Sequence, residues 1–139
     1  MDSTPPATAT SAWPLMTVAA AKATACWEDP HWRSTVVPGT DSAHVLRALV
    51  ERTGVDPAVV DDVVWGCVSQ IGEQTFDIAR TAVLSAGWPE SVPGTTVDRQ
   101  CGSSQQAVHF AAAGVMSGQY DVAVAGGVRT CRASPWARP

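Results

Sequence analysis

The residues Val97-Asp98-Arg99-Gln100-Cys101-Gly102-Ser103-Ser104 place a cysteine between a run that reads as a strand and a run that reads as a helix. In open α/β sheets, ligands bind beyond the carboxyl ends of the strands. A helix N-terminus there offers unpaired N–H groups and a partial positive charge, worth roughly 0.3–1 kcal/mol to a nearby anion. A thiolate is such an anion, and the thiolate rather than the thiol is the nucleophile. Gly102 lets a substrate approach the sulfur, and Ser103 and Ser104 are small neighbours that read as helix caps. A thiolate that attacks an acyl carbonyl forms a thioester, a carrier of acyl groups between thiols. The competing reading is packing alone, because cysteine is among the residue types most often buried as a small hydrophobe.

The other reactive side chains offer less. Cys67, in Trp65-Gly66-Cys67-Val68, reads as core, and Cys26 and Cys131 have no role. His109 lies on the same expected helix as Cys101, eight residues on, which at 1.5 Å per residue is about 12 Å away and too far to be its base. His44 reads as a surface or packing histidine on an earlier helix.

The elements that must position Cys101 follow from the pattern around it. A helix is expected from Asp41 to Thr53, capped by Thr40 or Asp41, with Val45, Leu46, Leu49 and Val50 on one face and Gly54 as its stop. A strand follows over 62–69, rich in β-branched residues. A second helix starts at Asp77 and ends at Gly87, a short strand covers 94–98, and a third helix runs from Ser103 or Ser104 to about Ser117. Asp121–Gly127 is a nearly continuous apolar run, the pattern of a strand buried on both faces. Helix, strand, helix, strand, helix, strand predicts an α/β fold with helices packed on a largely parallel mixed sheet.

Composition bounds the function classes. The chain has 139 residues, with 45% apolar and 16% charged, enough to form a core. A net charge of −4 argues against nucleic acid as a partner. No apolar run is long enough to cross a membrane, and no cysteine spacing offers a zinc site, so no metal is expected. The Ala19–Ala25 stretch is a poor secretory signal because Lys22 interrupts it, and the expected location is cytoplasmic.

Charge is unevenly spread. Residues 41–128 hold ten acids (Asp41, Glu51, Asp56, Asp61, Asp62, Glu73, Asp77, Glu90, Asp98, Asp121) against Arg47, Arg52, Arg80 and Arg99, a net of −6. The flanks, 1–40 and 129–139, hold three acids against five bases and four of the six tryptophans. No helical or strand period is expected in 1–40, which prolines interrupt.

The segments VDDVVWGCVSQIGEQ (61–75) and IARTAVLSAGWPESVPGTTVDRQCGSSQQAVHFAAAGVMSGQYDVAVAGGV (78–128) closely resemble the N-terminal half of thiolases, the acetyl-CoA acetyltransferase and 3-ketoacyl-CoA thiolase family. SAHVLRALVERTGVDP (42–57) fits the first long helix of that family, so the resemblance spans residues 41–128. It implies a thiolase-like fold, here a partial N-terminal half, and a cysteine nucleophile that aligns with Cys101. It also implies acyl-CoA and CoA as substrates, no bound cofactor or metal, and assembly as homodimers or tetramers. The reaction would be thiolytic cleavage of a 3-ketoacyl-CoA or Claisen condensation to acetoacetyl-CoA. The family's activating histidine, in a GHP-type motif, and its second cysteine, in a C-x-G motif, have no counterpart in this chain, and no CoA-binding residue is assigned. Ketoacyl synthases, which place a cysteine at the same elbow, fit the DRQCGSSQQA block less well.

Residues 1–40 are expected to be non-homologous, disordered or out of frame, and 129–139 to be an out-of-frame tail. A codon set compatible with Thr130–Pro139, read in a shifted frame, encodes MSRVPMGSS, a thiolase-like continuation. The expectation is a fragment of a thiolase-type acyltransferase that is inactive in isolation, the alternative being a non-catalytic pseudogene fragment.

Overall fold

The computed structural model describes residues 17–18, 38–71 and 74–128. The elements are β1 (Thr17–Val18), α1 (Pro38–Thr53), a 3-10 turn (Pro57–Val59), β2 (Asp62–Gly66), α2 (Ile78–Ser85), β3 (Gly94–Val97), α3 (Ser103–Met116) and β4 (Ala123–Gly127). The strands form one sheet in the order β1-β4-β2-β3, every neighbouring pair parallel.

Local chemistry sets the element ends. Asp77 caps α2 by accepting from the Arg80 N–H, and Asp56 caps the 3-10 turn by accepting from Ala58 N–H. Gly54, Gly87 and Gly118 follow the three helices with positive φ, the left-handed conformation that ends helices and that glycine adopts without a Cβ penalty. Helix α1 starts three residues before the expected Asp41, which instead lies within its first turn. Strand β2 ends at Gly66, short of the expected Ser69, where the Gln70 side chain donates to the Cys67 carbonyl and turns the chain.

Thr17–Val18 correct the expectation that 1–40 holds no strand: they pair with Val124 and Ala125 of β4. Two residues are too short to carry a period, so only their pairing reveals them. The remaining expectations for the flanks lie outside the described residues.

Strands β2 and β4 are buried at all five positions; β4 lies within the nearly continuous apolar run that such burial leaves, whereas β2 opens with the buried Asp62. Their side chains divide between two faces. Val63, Trp65, Cys67, Val124 and Val128 pack with Leu46 of α1 and with Ile78, Ala79, Ala82 and Val83 of α2. Val64, Ala123 and Ala125 pack with Val97 and with Ala107, Ala111 and Val115 of α3. Each fully buried Val, Leu or Ile contributes roughly 1.5–3 kcal/mol relative to exposure.

Two polar ties lock β4 to the start of β2. The Asp61 carboxylate accepts from Val122 N–H (3.0 Å) and Asp121 N–H (2.8 Å), and these bonds hold its carboxyl below the usual range. Tyr120 donates its hydroxyl to Asp62 at 2.9 Å, its ring lying where a Cβ on Gly114 would stand.

Because all strands are parallel, Gly66, Val97 and Gly127 share the carboxyl edge of the sheet. From β1 through β2 to β3 the chain steps across the sheet with α1 and α2 on one face, and after β3 it returns over the other face through α3. The stretch 98–102 is where that direction reverses, the place where α/β sheets form ligand crevices.

Candidate active site

Cys101 sits four residues beyond the end of β3 and two before the start of α3. Its thiol is free and exposed. Its backbone has φ 61°, a left-handed conformation that costs a non-glycine residue roughly 1–2 kcal/mol. Gly102 N–H donates to the Arg99 carbonyl at 2.9 Å, closing a turn over 99–102 with Cys101 at its third position, where positive φ usually calls for glycine. The turn thus lifts the Cys101 side chain out of the sheet edge, just ahead of α3.

The expectation that Ser103 or Ser104 caps α3 is corrected. The cap is Gly102, with no side-chain hydrogen bond to the helix, so the first N–H groups of α3 are not taken up by a capping oxygen. Ser103 is 7% exposed and reaches backwards. Its Oγ accepts from Arg99 N–H and donates to the Arg99 carbonyl, both at 2.9 Å. On the surface, the Arg99 guanidinium donates to Gln106 at 3.1 Å and Gln100 donates to Asp98 at 3.2 Å.

The first turn of α3 rests on two glycines that face each other in register, Gly66 of β2 and Gly127 of β4. A Cβ on Gly66 would collide with the Ser103 carbonyl carbon and Ser104 nitrogen and lie 2.7 Å from the Ser103 oxygen. A Cβ on Gly127 would collide with Ser104 Oγ and stand 2.8 Å from the Gly66 carbonyl oxygen. The bare backbone at these positions lets the helix start touch the sheet.

Cys67 lies at the same edge with the opposite character. It is 1% exposed, its Sγ is 3.5 Å from Gln74 Oε1, and burial pushes its thiol up, with Asp98 adding to the effect. Gln74 is itself buried, and its Nε2 has no partner among the described residues. His44 and His109 are exposed on α1 and α3, and neither is hydrogen-bonded to Cys101. Cys26 and Cys131 lie outside the described residues.

Sequence reading places Cys101 but misses the glycine seat and the backward-facing Ser103. A glycine ending each of two β-branched runs, at Gly66 and Gly127, is the signal that a close backbone approach leaves in a sequence. A cleft of about 390 Å³ lined by Asp62, Val64, Phe110, Gly114 and Tyr120, among others, lies at the amino end of β2 and contains no residue of the Cys101 turn. Among the described residues no group of three or more His, Cys, Asp or Glu side chains could hold a metal, and no described helix is long and apolar enough to cross a membrane.

A family model described as the N-terminal domain of thiolase matches residues 17–138, beginning at β1 and extending beyond both bounds of 41–128. The chain is 60% identical over 89 residues to the steroid 3-ketoacyl-CoA thiolase FadA6 of Mycobacterium tuberculosis, covering 64% of this chain and 22% of that protein. It is 53% identical over 88 residues to a 3-ketoacyl-CoA thiolase of Pseudoalteromonas translucida, covering 63% of this chain and 23% of that protein. Among solved structures, the acetyl-CoA acetyltransferase of Bacillus anthracis superposes with a TM-score of 0.58 at 41% identity, over 71% of this chain and 23% of that one. The chain therefore spans less than a quarter of the length of these relatives.

Proposed function

The chain belongs to the thiolase family through its N-terminal domain, and from that premise we propose that it carries the nucleophile of an acyl-CoA acyltransferase, with Cys101 as the acyl-accepting residue. The observation that carries the reading is a free, exposed thiol at positive φ, at the carboxyl edge of a parallel sheet and just ahead of a helix whose glycine cap makes no side-chain hydrogen bond. The Cys101 thiolate attacks the carbonyl carbon of an acyl-CoA. A new C–S bond forms, the carbonyl–sulfur bond to CoA breaks, and CoA leaves as a thiolate that takes up a proton. Cys101 precedes α3 by two residues, at a helix start whose cap makes no side-chain hydrogen bond.

In the synthetic direction the second half-reaction passes the acyl group to the α-carbon of a second acyl-CoA, which gives up a proton, a Claisen condensation. In thiolytic cleavage the thiolate instead attacks the 3-keto carbon of a 3-ketoacyl-CoA, and the bond from that carbon to the α-carbon breaks. The α-carbon half leaves as an acyl-CoA that takes up a proton at that carbon, and CoA then accepts the acyl group from the sulfur. Each needs proton transfer, and no described histidine is hydrogen-bonded to Cys101. The chain alone is therefore proposed to accept an acyl group without turning over. The location proposed is the cytoplasm, and the assembly is the homodimer or tetramer of the family. Residues 41–128 are proposed as the partial thiolase domain.

The test is incubation of the full chain with acetyl-CoA, an acid quench and peptide mass analysis. One acetyl group is expected on the Cys101 peptide, absent in Cys101→Ser, with no sustained release of CoA. Acetylation of Cys67 with Cys101 untouched would overturn the assignment.

A further inference from the structure

We propose that Ser103 is the positioning residue of the nucleophile turn, its hydroxyl holding Cys101 in the left-handed conformation that presents the thiol. The proposal rests on the reading of Cys101 as nucleophile and names what keeps it in place.

A cysteine at φ 61° stays there only if its surroundings over-determine it. Three kinds of tie span the turn. The backbone bond from Gly102 N–H to the Arg99 carbonyl closes it but leaves the Arg99 N–H without a partner inside the turn. The Arg99–Gln106 and Asp98–Gln100 side-chain bonds are exposed, where water competes for both donor and acceptor. The third tie is Ser103, at 7% exposure. Its one hydroxyl serves both backbone groups of Arg99, accepting from the N–H and donating to the carbonyl.

That geometry fixes the residue two before Cys101 to the residue two after it. The Ser103 end is seated on the sheet, its backbone lying so close to Gly66 that a Cβ there would collide with it. The chain from 99 to 103 is thereby a closed loop with both ends anchored, and Cys101 is its apex. A helix-capping serine would bond forward into α3 and leave the turn free. This one bonds backward, so its hydroxyl acts on the turn rather than on the helix.

Removing the hydroxyl strips Arg99 N–H of its acceptor and releases the turn, so that Cys101 spends time in ordinary conformations with its thiol no longer held at the helix start. The experiment measures, in the full chain, the iodoacetamide alkylation rate of Cys101, normalised to the same thiol in the denatured chain, for wild type, Ser103→Ala and Ser103→Thr. Hydrogen exchange is followed in parallel at Arg99 and across β2, α3 and β4. Wild-type Cys101 is expected to react faster than its denatured counterpart. Ser103→Ala should lose about tenfold of that advantage and expose the Arg99 amide while β2 and β4 stay protected, and Ser103→Thr, which keeps the hydroxyl, should restore both.

A folded Ser103→Ala with wild-type Cys101 reactivity overturns the proposal. If Ser103→Ala does not fold, the threonine variant decides: wild-type reactivity supports the hydroxyl's role, and reactivity equal to the denatured thiol overturns it. A wild-type chain whose Cys101 reacts no faster than in the denatured state refutes the nucleophile reading itself, whatever Ser103 does.

Discussion

Replacing Gly66 by alanine tests whether the start of α3 is seated on bare backbone. At a φ that alanine adopts freely, the substitution alone would stabilise by about 0.4–1 kcal/mol through the unfolded chain, and Gly66 is not among the positive-φ glycines. Sterics reverse that sign. The new Cβ meets the Ser103 carbonyl carbon and Ser104 nitrogen, and lies 2.7 Å from the Ser103 oxygen. All three atoms are backbone, so no rotamer change relieves them and the first turn of α3 must lift. Overpacking of this kind costs typically 1–3 kcal/mol. With nothing free to yield, about 3 kcal/mol is expected, lowering the unfolding midpoint by roughly 12–24 °C for a domain of this size.

Gly127→Ala meets a different neighbour. Its Cβ overlaps the Ser104 hydroxyl and lies 2.8 Å from Ser104 Cβ and from the Gly66 oxygen, so a side chain supplies most of the conflict. About 2 kcal/mol is expected, of which Ser104→Gly should recover about 1 kcal/mol in a double-mutant cycle. The same cycle on Gly66→Ala should show coupling below about 0.5 kcal/mol. The assay is urea unfolding followed by the fluorescence of Trp65 and Trp88, both buried. A Gly66→Ala chain as stable as wild type, or equal rescue of both alanines by Ser104→Gly, would refute the seat.

Two further outcomes are expected. Tyr120→Phe takes the hydroxyl from Asp62, whose other carboxylate oxygen already has no partner among the described residues; about 1–3 kcal/mol of stability should be lost, read by the same unfolding curve, and a loss under about 0.3 kcal/mol contradicts the tie. Cys67 is neutral in the fold because burial raises its thiol above the ordinary value of 9.0. A raised folded value means that its contribution is complete below pH 9 and fades as pH rises through the higher folded value. Stability should therefore fall above pH 9, less steeply in Cys67→Ala, as stability measured from pH 7 to 11 will show.

The helices and buried strands were legible because their signals are local. Asp77 and Gly87 bracket α2 in the sequence as they do in space, and the apolar run at 123–127 matches a strand buried throughout. The turn at Cys101 was legible in part: its place between β3 and α3 could be read, but its positive φ could not, since a cysteine there carries no glycine to announce it. The role of Ser103 is hidden in the sequence for a related reason. A serine at a helix start reads forward by habit of sequence, and only the closed turn behind it gives its hydroxyl a nearer pair of partners. β1 was invisible because a two-residue strand is defined by its neighbour, β4, and not by its own pattern.

The two described cysteines show how position on one sheet edge decides chemistry. Cys67 continues β2 directly, so its side chain follows the strand's alternation into the α1–α2 core beside Trp65, and its thiol is held neutral by lost hydration. Cys101 escapes that alternation because the chain turns back on itself first. The escape has a conformational cost, and the parts that offset it come from three separated pieces of sequence: the Ser103 hydroxyl, the absent side chain of Gly66 and that of Gly127. Two of those pieces belong to strands that pair only when the sheet has formed in its proper register. The exposed thiol is therefore a property of the assembled sheet, and a peptide spanning 97–117 alone would carry the same residues without the conformation.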